Sequence, residues 1–109
     1  MATTYKVLGQ SNPSATTATT LYTVPASTST VVSTITICNQ ASSAATYRIA
    51  VRPAGATLAA QHYVVYGATV PASDTVALTL GLTLATTDVV TVYASSANLS
   101  FNLYGSEIA

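Results

Sequence analysis

Thr30-Val31-Val32-Ser33-Thr34-Ile35-Thr36-Ile37-Cys38-Asn39 is the stretch whose pattern decides the fold. Read with a period of two, it sends Val31, Ser33, Ile35 and Ile37 to one face. Val32, Thr34, Thr36 and Cys38 go to the other, and the first face is the more apolar. A helix needs apolar residues at i, i+3, i+4 and i+7, and no stretch of the chain reads that way. Threonine, valine and tyrosine dominate instead, and such side chains suit a pleated, half-buried surface.

Working outward, the same alternation recurs on both sides. Residues 46–52 place Tyr47, Ile49 and Val51 on one face and Arg48, Ala50 and Arg52 on the other, before Pro53-Ala54-Gly55 turns the chain. Residues 62–66 read as a strand closed by Gly67, and residues 75–80 put Val76, Leu78 and Leu80 on one face. Residues 88–94 send Val90 and Val92 inward, and residues 98–104 do the same with Leu99, Phe101 and Leu103. Residues 56–60 have room for a single helical turn. Strand ends recur roughly every ten residues, the spacing of a sandwich or barrel. The expectation is an all-β, single-domain antiparallel β-sandwich, immunoglobulin-like or jelly-roll-like, with about seven or eight short strands. Residues 21–109 form the sandwich. Residues 1–20 are either an N-terminal arm that lies across a neighbour or a first strand (residues 5–8) plus a Thr/Ser-rich linker.

One pentapeptide occurs twice, as Thr23-Val24-Pro25-Ala26-Ser27 and as Thr69-Val70-Pro71-Ala72-Ser73. In each, the residue before proline is driven to an extended conformation and proline then opens a turn. Two corners meeting one geometric demand explain the echo better than duplication of half a sandwich.

Only six of 109 residues carry a formal charge, three basic and three acidic, while half the chain is hydrophobic. Enzymes place ionisable groups where protons and developing charges must be handled, and few are present here. His62 is the only candidate base, with no G-x-S-x-G context around any serine, so a serine triad is not expected. Asp74 and Asp88 are isolated and read as turn residues, and no His/Cys spacing resembles a zinc site. No catalytic residue, metal or cofactor is expected. Zero net charge gives no long-range attraction to nucleic acid or to an anionic membrane. Apolar runs are too short to cross a bilayer, and the first residues lack the apolar core of a signal peptide, so neither a membrane partner nor export is expected. Cys38, the only cysteine, reads as a small buried hydrophobe rather than an intersubunit disulfide, and a lone thiol agrees with a reducing cytoplasm. Asn98-Leu99-Ser100 fits the glycosylation pattern but falls in an expected strand.

The candidate interface residues are Tyr66, Tyr93, Arg48 and Arg52. Alternation sets Tyr66 and Tyr93 opposite some of their apolar neighbours, so that one or both face solvent. Arg48 and Arg52 share a face about 13 Å apart, where they keep a sheet edge soluble or meet acids of a neighbouring subunit. A sugar platform needs such rings with acids or amides nearby, and acids are scarce. A Thr-x-Thr ice-binding array at Thr28/Thr30 and Thr34/Thr36 lacks a regular repeat.

Three physical considerations favour an assembly. Charge-poor surfaces with zero net charge resist self-association weakly. A core of alanine, valine and threonine buries less apolar area per residue than one of leucine and phenylalanine, and subunit contacts supply more at about 25 cal/mol per Å2. Faces rich in threonine and serine also hydrogen-bond across an interface without burying charge.

The stretches Thr20-Leu21-Tyr22-Thr23-Val24-Pro25-Ala26, Tyr47-Arg48-Ile49-Ala50-Val51-Arg52-Pro53-Ala54-Gly55 and Leu84-Ala85-Thr86-Thr87-Asp88-Val89-Val90 resemble small virion proteins of tailed bacteriophages. Ala97-Asn98-Leu99-Ser100-Phe101-Asn102-Leu103-Tyr104-Gly105 adds to that likeness, which is to a type frequent among phages of cyanobacteria and other aquatic bacteria. The resemblance implies a virion component made in the host cytoplasm, first of all a capsid decoration (cement) protein. A tail or baseplate accessory protein follows, and a module binding a host glycan is the competing class. As partners it implies copies of the chain, a trimer foremost, and the major capsid protein or other virion proteins.

Overall fold

The computed structural model describes residues 2–109, whose regular structure is strand apart from two short helical turns, in two facing antiparallel sheets. In chain order the strands are β1 (Thr3–Ser11), β2 (Thr19–Thr23), β3 (Ser29–Asn39), β4 (Ala45–Arg52), β5 (Tyr63–Val70), β6 (Thr75–Leu78), β7 (Leu82–Leu84), β8 (Val89–Ala94) and β9 (Leu99–Ile108). The first sheet runs β1-β9-β3-β6, with β7 also on β3, and the second runs β2-β8-β4-β5. Since β6 and β7 both lie antiparallel along β3, they form one edge strand broken at residues 79–81, where Gly81 has φ +63°. Counted so, the wiring is the eight-strand order of a jelly roll, which settles the choice between the two sandwich types.

Residues on the inner faces build a single core. Ile35, Ile37, Ile49, Val90, Val92, Leu99, Phe101 and Leu103 are all buried there. The Tyr47 ring meets Phe101 edge-on across the sheets at 6.4 Å between centroids. Each large side chain buried in this way contributes roughly 1.5–3 kcal/mol. Two glycines allow the strands to close in. A Cβ on Gly105 would stand 2.1 Å from the Val31 carbonyl oxygen, and one on Gly9 would stand 2.2 Å from that of Leu21. At both places the obstacle is backbone, so no side chain can move aside.

Several elements depart from the sequence pattern, each for a local reason. In β3 the pairing with β9 slips between Val32 and Thr34, so a bulge at Ser33 reverses the alternation. Val32 is therefore buried and Val31 exposed, while Ile35 and Ile37 still point inward. Cys38 consequently falls on the outer face, partly exposed, rather than in the core. The strand expected over 75–80 stops at Leu78, and Leu80 lies exposed in the break. Helical turns sit at Pro53–Gly55 and Ala60–His62 instead of across 56–60, which places His62 in a turn ahead of β5. Gly67 lies inside β5 rather than ending it, and β9 runs on to Ile108 because β1 and β3 both pair with it to that residue. With the broken edge counted as two, nine strands result.

The repeated pentapeptides occupy matching corners. Both carry the chain from an edge strand of the second sheet, β2 or β5, across to the first sheet. Val24 and Val70 are buried, and Ser27 and Ser73 adopt φ +56° and +53°. Beside the second corner the buried Asn39 amide donates to the carbonyls of Ser43, Val70 and Pro71, while its oxygen accepts from Ala41 N–H. At the first corner, Thr86 Oγ1 accepts from Thr28 N–H and donates to Thr28 O.

Candidate functional site

Three of the four candidate interface residues meet on the outer face of the second sheet. Arg48 stands on β4, an interior strand, and its register partners are Tyr93 on β8 and Tyr66 on β5. The guanidinium carbon lies 4.2 Å from the centroid of each ring, so the cation is held between two aromatic faces. Each such contact is worth about 0.5–1 kcal/mol at an exposed position. Tyr63 extends the row, edge-on to Tyr66 at 4.9 Å. Because β4 has a neighbour on either side, Arg48 does not guard a sheet edge as the sequence suggested.

Two bulges create this row. The pairing of β4 with β5 slips between Tyr47 and Arg48, where Gly67 is left over, and again between Ile49 and Ala50, where Val64 is left over. Without the first, Tyr66 would stand opposite Ile49 and point into the core. Gly67, at φ +77°, takes up the left-handed step that turns the ring outward. Tyr66 is 64% exposed as a result, whereas Tyr93 is half-buried. The second bulge brings Tyr63 opposite Ala50 on the same outer face.

Arg52 does different work. Its Nε donates to Thr91 Oγ1 at 3.1 Å and its Nη1 to the Ala56 carbonyl at 3.2 Å, tying the β4–β5 connection down onto β8. Asp88 holds the same connection from its other side, accepting from Ala54 N–H at 2.9 Å while its second oxygen accepts from Ala85 N–H. His62 Nδ1 accepts from Ala59 N–H at 3.1 Å and so shapes the turn into β5. The connection thus fixed forms one wall of an open groove of about 660 Å3, lined by Leu58, Ala59, Ala60, Tyr63 and Tyr66. Tyr66 belongs to both features: one ring packs on Arg48 and borders the groove.

A second polar cluster, which sequence reasoning missed, lies between the sheets. Tyr22 from β2 donates to Glu107 Oε2 at 2.5 Å and lies 2.8 Å from Thr30 Oγ1, while Lys6 reaches Glu107 Oε1 at 3.1 Å. The bond from Tyr22 is the main cause holding the Glu107 carboxyl below its usual range; Lys6 acts the same way and burial opposes both. Burial, joined by the carboxylate, pushes the Tyr22 hydroxyl up to about 12. With 85 residues separating Tyr22 from Glu107, no local pattern announces the contact. No buried side-chain polar atom here lacks a partner, and the cluster latches the two sheets together.

Among the described residues no three His, Cys, Asp or Glu side chains gather as metal ligands, and no helix is long and apolar enough to cross a membrane. The chain matches no family model, no curated protein and no solved structure.

Proposed function

We propose that this chain is a non-enzymatic structural protein of a phage particle, a decoration (cement) subunit that sits on the capsid lattice as a homo-oligomer, foremost a trimer. The observation that carries this reading is the outer face of the first sheet, which bears no charged side chain. By register, Tyr5, Val31, Thr36 and Asn102 point outward from it, whereas Lys6 and Glu107 pair with each other on the opposite side. Tyr5 is 84% exposed, with Val7 at 47% and Val31 at 39% close by. Covering such a face strips water from no ion, and moving an ion out of water costs several kcal/mol. Exposed rings and valines supply the apolar anchor, and threonine and asparagine hydrogen-bond around it. The resemblance to virion proteins supplies the setting.

Purified particles test this directly. A copy number matching the capsid lattice is expected, and Tyr5→Ser with Val31→Ser should release the subunit from particles while circular dichroism stays unchanged. A few copies confined to the tail would move the protein to the baseplate. Substrate turnover abolished by His62→Ala would overturn a structural role altogether. The host-glycan alternative draws on a separate observation, the stacked arginine of the second sheet.

A further inference from the structure

We propose that the outer face of the second sheet is a binding site for an acidic saccharide of the uronic acid class, with Arg48 receiving the carboxylate and the Tyr63–Tyr66 groove receiving the sugar ring. This site is independent of whether the chain belongs to head or tail.

Its first support is electrostatic. Arg48 is fixed in place by two rings yet has no counter-ion, since the single ion pair among the described residues joins Lys6 to Glu107. The three acids are engaged elsewhere: Asp74 accepts from Thr75 N–H, Asp88 holds two backbone N–H groups, and Glu107 closes the latch. Two rings lie 4.2 Å from the guanidinium carbon, and its N–H edge is left as the way in for an acceptor. A carboxylate matches that edge with two parallel hydrogen bonds. Arg48 is held in advance, so little side-chain entropy is lost when the ligand arrives.

Shape is the second support. The groove beside Tyr66 encloses about 660 Å3, within the roughly 300–1,000 Å3 of small-molecule sites. Leu58, Ala59 and Ala60 form an apolar wall facing two tyrosines, a setting for the C–H face of a sugar ring. A ligand lying there has only to cross the width of the Tyr66 ring to reach the cation. An acidic peptide is the less suitable occupant. Extended peptides add to a sheet through a continuous row of backbone groups, and β5 is broken by bulges at Gly67 and Val64 where that row is needed.

The test titrates the full chain with tri-galacturonate, its methyl ester and hexaglutamate, followed by calorimetry and amide NMR shifts. Tri-galacturonate should bind with shifts at Leu58, Tyr63, Tyr66, Arg48 and Tyr93. Its uncharged ester should bind about tenfold more weakly, as loss of a charge-assisted bond predicts. Arg48→Gln should bring the acid down to the affinity of the ester, with Arg48→Lys falling between, and Tyr66→Ala should abolish both. Thermal unfolding of each variant confirms a folded chain, and Arg48→Lys preserves the charge if Arg48→Gln does not fold. Equal affinity for acid and ester overturns the proposal, as does no binding at millimolar sugar. Tighter binding of hexaglutamate at the same residues overturns it too, and makes the face a protein-docking site.

Discussion

Glu107 shows how one carboxylate can secure both sheets. It stands on β9 of the first sheet, accepts from Tyr22 of the second, and holds Lys6 of the edge strand β1. Its carboxyl is held below its ordinary value, so the folded state binds the proton less readily than the unfolded chain does. The stabilisation is therefore complete above the ordinary carboxylate range and disappears as pH falls through the lowered value. Thermal unfolding followed from pH 7 downward should show a decline starting at about pH 5, and Glu107→Gln should flatten it. An unchanged acid limb in that variant would show that this contact does not govern the decline. Tyr22 works in the opposite sense. Its hydroxyl is raised to about 12, so its share is intact below the ordinary tyrosine value and fades as the solution is made more alkaline through 12.

Among the elements, interior strands such as β8 and β9 are held on both sides, and β5 on one. β9 is flanked by β1 and β3, and β8 by β2 and β4, whereas β5 is an edge with two residues out of register. Amide exchange should separate them: Phe101 and Val92 exchanging only on global unfolding, and Val64 to Gly67 orders of magnitude sooner. Equal protection along β5 would mean that its free edge is covered. The contrast also marks what was legible in the sequence. Leu99, Phe101, Leu103, Val90 and Val92 alternate without interruption, and simple periodicity sends them inward as the structure has them. Val31 and Tyr63 were misplaced or overlooked, because one unpaired residue reverses the faces on either side of it and is invisible to a period of two; Cys38 was read as buried from its apolar neighbours although alternation sets it opposite Ile37, and Leu80 lies where the edge strand breaks. Gly67 was the single written sign of the second-sheet bulges, and a glycine ending a strand looks identical to one kinking it. Of the stacked row, Arg48, Tyr66 and Tyr93 could be nominated by type and alternation. Their meeting depends on the register across three strands, which no local stretch encodes.

For the molecule as a whole, closure is non-local. The first strand pairs with the last, from Thr3 opposite Ile108 to Ser11 opposite Phe101, and most connections change sheets. Such topologies fold in about milliseconds to seconds, because loop-closure entropy is spent before long-range contacts form. Stopped-flow refolding monitored by tyrosine fluorescence should fall in that range; microsecond refolding would contradict the pairing of the two ends. The two free edges of the first sheet also differ in kind. One is β1, nine residues long, and the other is cut into β6 and β7 by three residues that leave the ladder. On the first sheet, a second molecule joining edge to edge has an adequate template only in β1 and must offer its own β1 in return. The joined sheet then ends on the interrupted β6 and β7 at both margins, so its extension stops at two chains and runaway fibre growth through it has no next step.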